Sequence, residues 1–294
     1  MPIQIIDGNY YVNRAVRSKA GMTLFSNGQP TGGLHSFFNT LWTVKENGTM
    51  VVAFDSDRSS YRKRLHPTYK ERAVAPKDEL LERVKQVTFG GLAWVLPKMG
   101  IPVVKVEGEE ADDVIYLLAK HLVKDNSIYA VSDDEDFLQF LNIGVTINRI
   151  AHDHIVTKQS FQALYTFPPE AFVLYKSLIG DKSDMIERAI PGVGEVTAKK
   201  IISQLSDYSL TGLFEWCEHF QDSKLKQDTF THFPTIKRNY ALINLENAQI
   251  KDEVVINAYE KACKEAIKQP NQVRDFLASY ELKTQLRWYQ WMTK

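Results

Sequence analysis

Three short apolar runs near the start of this 294-residue chain each stop on an aspartate. Ile3 to Ile6 ends at Asp7, Met50 to Phe54 ends at Asp55, and Ile128 to Val131 runs into Ser132, Asp133 and Asp134. Continuous apolar runs of this length read as strands buried on both faces. Two further runs, Ile101 to Val106 and Val145 to Ile150, complete a set of five. Between them, Leu80, Val84, Val87, Trp94 and Val95 recur near helical spacing, interrupted by Gly90 and Gly91. Val114, Leu117, Leu118, His121 and Leu122 do so more cleanly. Strand–helix alternation predicts an α/β fold with a mostly parallel sheet covered by helices. Sites in such sheets form beyond the carboxyl ends of the strands, which is where Asp7, Asp55 and Asp134 stand.

Other acids join them. Glu110 and Asp113 are three apart and share a helix face; Asp112 points elsewhere but sits at the helix mouth. Asp134 and Asp136 lie on one side of an extended segment, with Asp133 and Glu135 facing away. Asp181 and Asp184 converge if Gly180-Asp-Lys-Ser-Asp184 forms a helical turn. Each group alone has an ordinary explanation: acids complement the dipole of a first turn, gather in loops and cap helices. Taken together, they place many like charges at one edge, which calls for cations. Oxygen-only donors suit Mg²⁺ or Mn²⁺. Two or more ions are expected, with a close pair about 4 Å apart, the arrangement that hydrolyses phosphodiesters.

The formal net charge is zero, so charge balance by itself does not announce a nucleic-acid partner. The bases are nevertheless clustered. Residues 58–72 carry six Lys/Arg and one acid, with Tyr61 and Tyr69 interleaved. Phosphate neutralisation plus aromatic stacking is the chemistry of single-strand channels, although a solvated helix face has the same composition. Pro191-Gly-Val-Gly-Glu-Val-Thr-Ala-Lys-Lys200 reads as a turn feeding a helix, where backbone N–H groups and two lysines can hold a phosphate. Cys217 and Cys263 have no Cys-x-x-Cys partner, which argues against zinc and for reduced thiols in a cytoplasmic protein. Neither a signal peptide nor a transmembrane-length run is present. After about residue 160 the patterns turn helical, and a boundary is expected near residue 165, with Pro168-Pro169 as hinge and helix start.

In this order, these motifs resemble the 5′-nuclease superfamily: phage 5′-exonucleases and flap endonucleases, the phage enzyme called RNase H, and the 5′–3′ exonuclease domain of bacterial DNA polymerase I. The marks are Ile-Asp7-Gly with Arg14, Phe-Asp55, Tyr-Arg62, Tyr69-Lys70, Gly-Glu-Glu110-Ala-Asp112-Asp113, Asp134-Glu-Asp136, Gly-Asp181-Lys-Ser-Asp184 and Gly192-Val-Gly194-Glu-Val-Thr197-Ala. Lys237 to Asn244 looks like a weaker continuation seen in phage members. The resemblance implies a Rossmann-like (PIN-like) nuclease domain over 1–165, with a helical arch at about 56–80. A helical DNA-binding region with a helix–turn–helix motif would follow over 166–294. It makes Asp55, Glu110, Asp112, Asp113, Asp134, Asp136, Asp181 and Asp184 metal ligands, directly or through water, and Asp7 the first family acid. Lys70 and Arg62 would approach the scissile phosphate. Arg14, Tyr61, Arg64, Tyr69 and Arg72 would contact nucleic acid. Gly192, Gly194, Thr197, Lys199 and Lys200 would grip duplex backbone, a place where relatives hold a monovalent cation such as K⁺.

The implied activity is Mg²⁺-dependent cleavage at DNA 5′ ends and flap junctions, including primer removal in replication, by a monomer. The chain departs from the family pattern in three places. Ala73 stands where arginine is usual, Asp133 where glycine is usual, and the Asp184-to-Gly192 link is slightly longer than in polymerase-linked members. No polymerase region follows, so a free-standing bacterial or phage enzyme is expected. Two other readings fit parts of the pattern: a compact PIN-type ribonuclease and a catalytically silent DNA-junction binder. The basic stretch and helical second part argue against the first, and the full acidic set argues against the second.

Overall fold

The computed structural model describes residues 2–45, 48–56, 60–71, 78–218 and 223–293. Strands are numbered along the chain: β1 (Ile3–Asp7), β2 (Phe25–Ser26), β3 (Gln29–Pro30), β4 (Thr49–Ala53), β5 (Val103–Val104), β6 (Ile128–Val131), β7 (Thr146–Arg149) and β8 (His154–Val156). β2 and β3 form a small separate hairpin. The other six make one sheet in the order β5-β4-β1-β6-β7-β8, parallel except for β8. Counting only those six, the order is 3-2-1-4-5-6, that of a doubly wound sheet. The winding direction reverses between β1 and β6, so a crevice opens beyond the carboxyl ends of those two strands.

All five expected strands form. The Ile101–Val106 run contributes only Val103–Val104, and β8 was not foreseen. β8, His-Ile-Val, has only Val156 buried and pairs as an antiparallel edge, too short to leave a pattern. The Gly90-Gly91 step does not interrupt its helix, which runs Glu79–Lys98. Gly91 faces Leu34 and Phe276 across a tight helix contact, so a glycine there serves packing. The Pro169–Ile179 segment divides into a 3₁₀ turn, Pro169–Ala171, and a helix, Phe172–Ile179.

Alternate residues of each strand feed two apolar layers. Ile3, Ile5, Val51, Ala53, Ile128 and Ala130 face one. Ile6, Met50, Val52 and Val131 face the other. Helical segments after residue 165 join both: Ile201, Leu213, Ile236 and Val255 enter the first layer, and Phe276, Leu277 and Trp288 the second.

Candidate active site

Asp7 ends β1 and at the same time caps the helix Gly8–Arg17, accepting from the Tyr10 N–H at 2.8 Å. The strand can turn into a helix this abruptly because Gly8 packs against its neighbour strand. A Cβ there would lie 2.6 Å from the Ala53 carbonyl oxygen. The second Asp7 oxygen accepts from Ser132 Oγ at 3.0 Å, bridging the ends of β1 and β6. Asp55, just past β4, accepts from the Ala111 N–H at 2.7 Å, the open N-terminus of the helix Ala111–Leu122. Asn9 brackets Asp55: its side chain donates to Asp55 Oδ2 and accepts from the Asp55 N–H at 2.9 Å.

A cleft of about 590 Å³ lies over this junction. Asp7, Asp55, Asp112, Asp134 and Asp184 line its floor, with Lys70 at its edge. Among the described residues, only Asp184 of these carboxylates forms an ion pair, with Lys70 Nζ at 3.7 Å. Burial, with Asp134 and Asp55 adding repulsion, pushes the Asp7 carboxyl up to about 7. Burial and the negative charge of Asp7 and Asp134 push Asp112 well above the usual carboxylate range. Asp136 also rises to about 7, through burial and repulsion from Asp134, Asp181 and Asp184, with Lys176 only partly opposing.

Glu110 and Asp113 sit differently. They meet on a helix face as the spacing implies, but both turn to Arg62. Arg62 is 4 % exposed. Its Nη1 lies 2.9 Å from Glu110, its Nη2 donates to Asp113 at 2.7 Å, and its Nε donates to the Leu242 carbonyl at 2.8 Å. Arg62, expected to approach a phosphate, stands here as a buried counter-ion outside the cleft lining. Tyr69 is also buried, its Oη 3.2 Å from Glu110 and 3.1 Å from Asp184. Lys70 adopts a left-handed backbone (φ +53°), donating its N–H to the Asp184 carbonyl and its Nζ to Glu110 at 3.0 Å.

Asp181 pairs with Lys176 at 2.5 Å, and Lys176 reaches Asp136 at 3.4 Å. Lys176 draws the Asp181 carboxyl below its ordinary range against burial. Sequence reasoning passed over this lysine, although a lone cation in Phe-Val-Leu-Tyr-Lys-Ser-Leu-Ile was a signal. Asn9, Ser132 and Tyr11 were also missed. Tyr11 Oη donates to Asp133 at 3.0 Å, and the Ala151 N–H does so at 2.9 Å. Asp133 thus faces away from the cleft. Arg14 reaches Asp133 at 3.7 Å and lines the cleft's other end.

Among the described residues, no three His, Cys, Asp or Glu side chains gather closely enough to hold a metal ion as they stand. Arg62, Lys70 and Lys176 hold oxygens of Glu110, Asp113, Asp136 and Asp181. The floor nonetheless fits a hard cation, being all-oxygen, repulsive and electrically undercompensated. Among the described residues, buried Asp136 Oδ1 accepts no hydrogen bond and has only the Lys176 ammonium beside it, at 3.4 Å.

Tyr61 is partly buried and Arg64 exposed on the short helix Ser60–Leu65; neither lines the cleft. Arg72 and Ala73 lie outside the described residues. Gly192 takes a left-handed turn (φ +78°) and Gly194 precedes the helix Glu195–Ile202, which carries Thr197, Lys199 and Lys200 away from the cleft lining.

A doubly wound sheet with a carboxylate-floored cleft at its switch point defines an α/β protein with a candidate cation-binding site beyond its strand ends. The family described as "5'-3' exonuclease, N-terminal resolvase-like domain" matches residues 2–166, and the chain belongs to it. Fold and family together make it a nuclease. A 5'-3' exonuclease of Aquifex aeolicus is 27% identical over 291 residues, covering 97% of this chain and 94% of that protein. DNA polymerase I of Borreliella burgdorferi is 28% identical over 276 residues, 88% of this chain; the chain spans 29% of that polymerase's length. Among solved structures, the T5 5'-exonuclease with bound divalent metal ions (zinc) superposes with a TM-score of 0.73 at 19% identity, over 90% of this chain and 100% of that one. The catalytic core of Rad2 in complex with DNA substrate gives 0.53 at 16% identity, over 99% and 89%. At these identities the structural likeness establishes the fold. No described helix is long and apolar enough to cross a membrane.

Proposed function

We propose that this nuclease hydrolyses phosphodiester bonds at DNA 5′ ends and 5′-flap junctions with divalent metal ions, Mg²⁺ or Mn²⁺, in cytoplasmic replication and primer removal. The observation that carries the reading is the undercompensated floor of Asp7, Asp55, Asp112 and Asp134 at the β1/β6 crevice. Asp184, Asp136 and Asp181 extend it on the Lys176 side. When bound, the ions would supply the Lewis acidity that favours water attack on phosphorus and departure of the alcohol oxygen.

The chain's own residues do the rest. Asn9 and the Ala111 N–H fix the Asp55 carboxylate. Ser132 fixes Asp7. Lys70 leaves Glu110 to meet phosphate charge as it develops, since a cation aimed there counts most in a site that excludes water. Glu110 and Asp113 act through Arg62, holding the foot of the arch segment (about 56–80) against the helix Ala111–Leu122. Residues 1–165 form the nuclease part, and 166–294 a helical DNA-binding region. In that region Gly192, Gly194, Thr197, Lys199 and Lys200 would grip the duplex backbone, with K⁺ as the monovalent ion there. The protein would act as a monomer.

Titrating Mg²⁺ against a 5′-labelled flap substrate and sizing the products tests this. Short 5′ products that appear with Mg²⁺ support it. Tight flap binding with no product at saturating Mg²⁺ or Mn²⁺ points to a junction binder, and cleavage of single-stranded RNA with flap DNA left intact points to a PIN-type ribonuclease.

A further inference from the structure

The cleft does not end at its acids. One wall is the exposed face of the helix Gly8–Arg17, where Asn9, Tyr10, Asn13, Arg14 and Arg17 continue the lining away from Asp7. The side chains on this wall form a ladder. Asn9 holds Asp55, Asn13 Nδ2 donates to the Asn9 carbonyl at 2.9 Å, and Arg17 Nη1 donates to Asn13 Oδ1 at 3.1 Å and to the Asn13 carbonyl at 3.3 Å. Positions 9, 13 and 17 are four apart, so they stack along one helix edge. Asparagine is a poor choice inside a helix, because its amide competes for backbone groups. Two of them in register with an arginine and the cleft floor require a reason beyond helix formation.

We infer that this face is a track for a nucleic-acid strand leading away from the reacting phosphate, with Arg17 binding a backbone phosphate at its far end. The inference rests on the nuclease reading above and extends it to a partner segment and residues outside the acid set. Charge supports the occupant: the cleft passes from carboxylates at one end to Arg14 and Arg17 at the other, and among the described residues no carboxylate pairs with Arg17. Its guanidinium is held by one nitrogen only, leaving other N–H donors for a phosphate. The ladder orders the arginine before the strand arrives, which lowers the entropy cost of binding.

Length supports it too. Ten helical residues from Asp7 to Arg17 cover about 15 Å at 1.5 Å per residue. For a strand of B-form duplex, which advances about 3.4 Å along the axis per nucleotide, this corresponds to about four nucleotides, and Arg14 to about three. The arginines would therefore meet successive backbone phosphates.

The test is binding of flap substrates by the full chain, with Ca²⁺ replacing Mg²⁺, followed by fluorescence anisotropy over a range of salt. Substrates with one to six nucleotides on each side of the cleavage position form a length series. For wild type, affinity should climb with length on one side and level off at about four nucleotides. In Arg17→Ala the plateau should come about one nucleotide earlier, and the slope of log affinity against log salt should shrink by about 0.7 to 0.9, the loss of one phosphate contact. Arg17→Lys should restore the slope, which a misfolded helix would not. An unchanged slope and plateau in Arg17→Ala, with wild type still binding and cutting flaps, would overturn the track alone. Failure of wild type to bind or cut flap DNA would overturn the nuclease reading, and the track with it.

Discussion

Two sets of carboxylates lie within one helical turn of each other and behave oppositely. Glu110 and Asp113 are buried against Arg62, which satisfies them with three nitrogen contacts. Asp112, between them in sequence, turns instead to Asp7 and Asp134 and is driven toward protonation. The difference teaches that an acid's place in a motif says less than its counter-ion. A compensated carboxylate holds structure together. An undercompensated one stores repulsion that a bound cation would relieve.

The sharpest way to break that comparison is to remove one charge from each set. Asp112→Asn or Asp134→Asn should lower flap turnover by about 10²–10³-fold, a typical cost of losing one group in an electrostatic site, while flap affinity and melting temperature hold or rise. The same turnover loss is expected for Asp181→Asn. Wild-type rates in these variants would remove the floor from the catalytic account.

Arg62→Ala should act on the other set. It strands Asp113, buried at 1 % exposure, and should cost about 3–5 kcal/mol of unfolding free energy in urea titrations. Replacing both partners, Arg62→Met with Asp113→Leu, should recover much of that loss. Equal instability in the single and double variants would deny the pair its compensating role.

pH separates the two sets next. Asp7 and Asp136 have folded-state values near 7, above the unfolded 3.8, so the folded protein holds protons that the unfolded chain has released. Their stabilising contribution is full below about 3.8 and is lost as pH rises through about 7. The metal-free protein should therefore melt lower at pH 8 than at pH 5.5. Mg²⁺ should raise the melting temperature more at pH 8, because it binds the ionised form. A metal effect independent of pH would show that these carboxylates are not the ones it meets.

The smallest effect concerns Asp133. Tyr11→Phe removes its hydroxyl donor and should cost about 1 kcal/mol in stability, with turnover unchanged. A large loss of turnover would move Asp133 from the structural set into the cleft.

Much of the architecture was legible before any coordinates. β1, β4 and β6 fell where apolar runs met aspartates, because a strand buried on both faces is largely apolar (Gln4 is the exception in β1) and its polar end marks the end of the sheet. Alternation along an extended segment set Asp133 aside, and it does face Tyr11 and Ala151, although the chain turns into a 3₁₀ helix at Glu135. The β8 edge and the continuity of Glu79–Lys98 across Gly90-Gly91 were not legible, since packing against Leu34 and Phe276 decides the latter. Arg62 and Lys70 looked alike, two cations in one basic stretch; only burial distinguishes them.

By itself, then, the sequence determined the parallel sheet, the strand ends that carry acids and the oxygen-only character of the site, because periodicity and residue type are local properties. Tertiary structure decided which carboxylates keep a cation and which do not. Arg62 reaches Asp113 across 51 positions and Tyr11 reaches Asp133 across 122. Charge compensation depends on distance in space, which no spacing along the chain encodes.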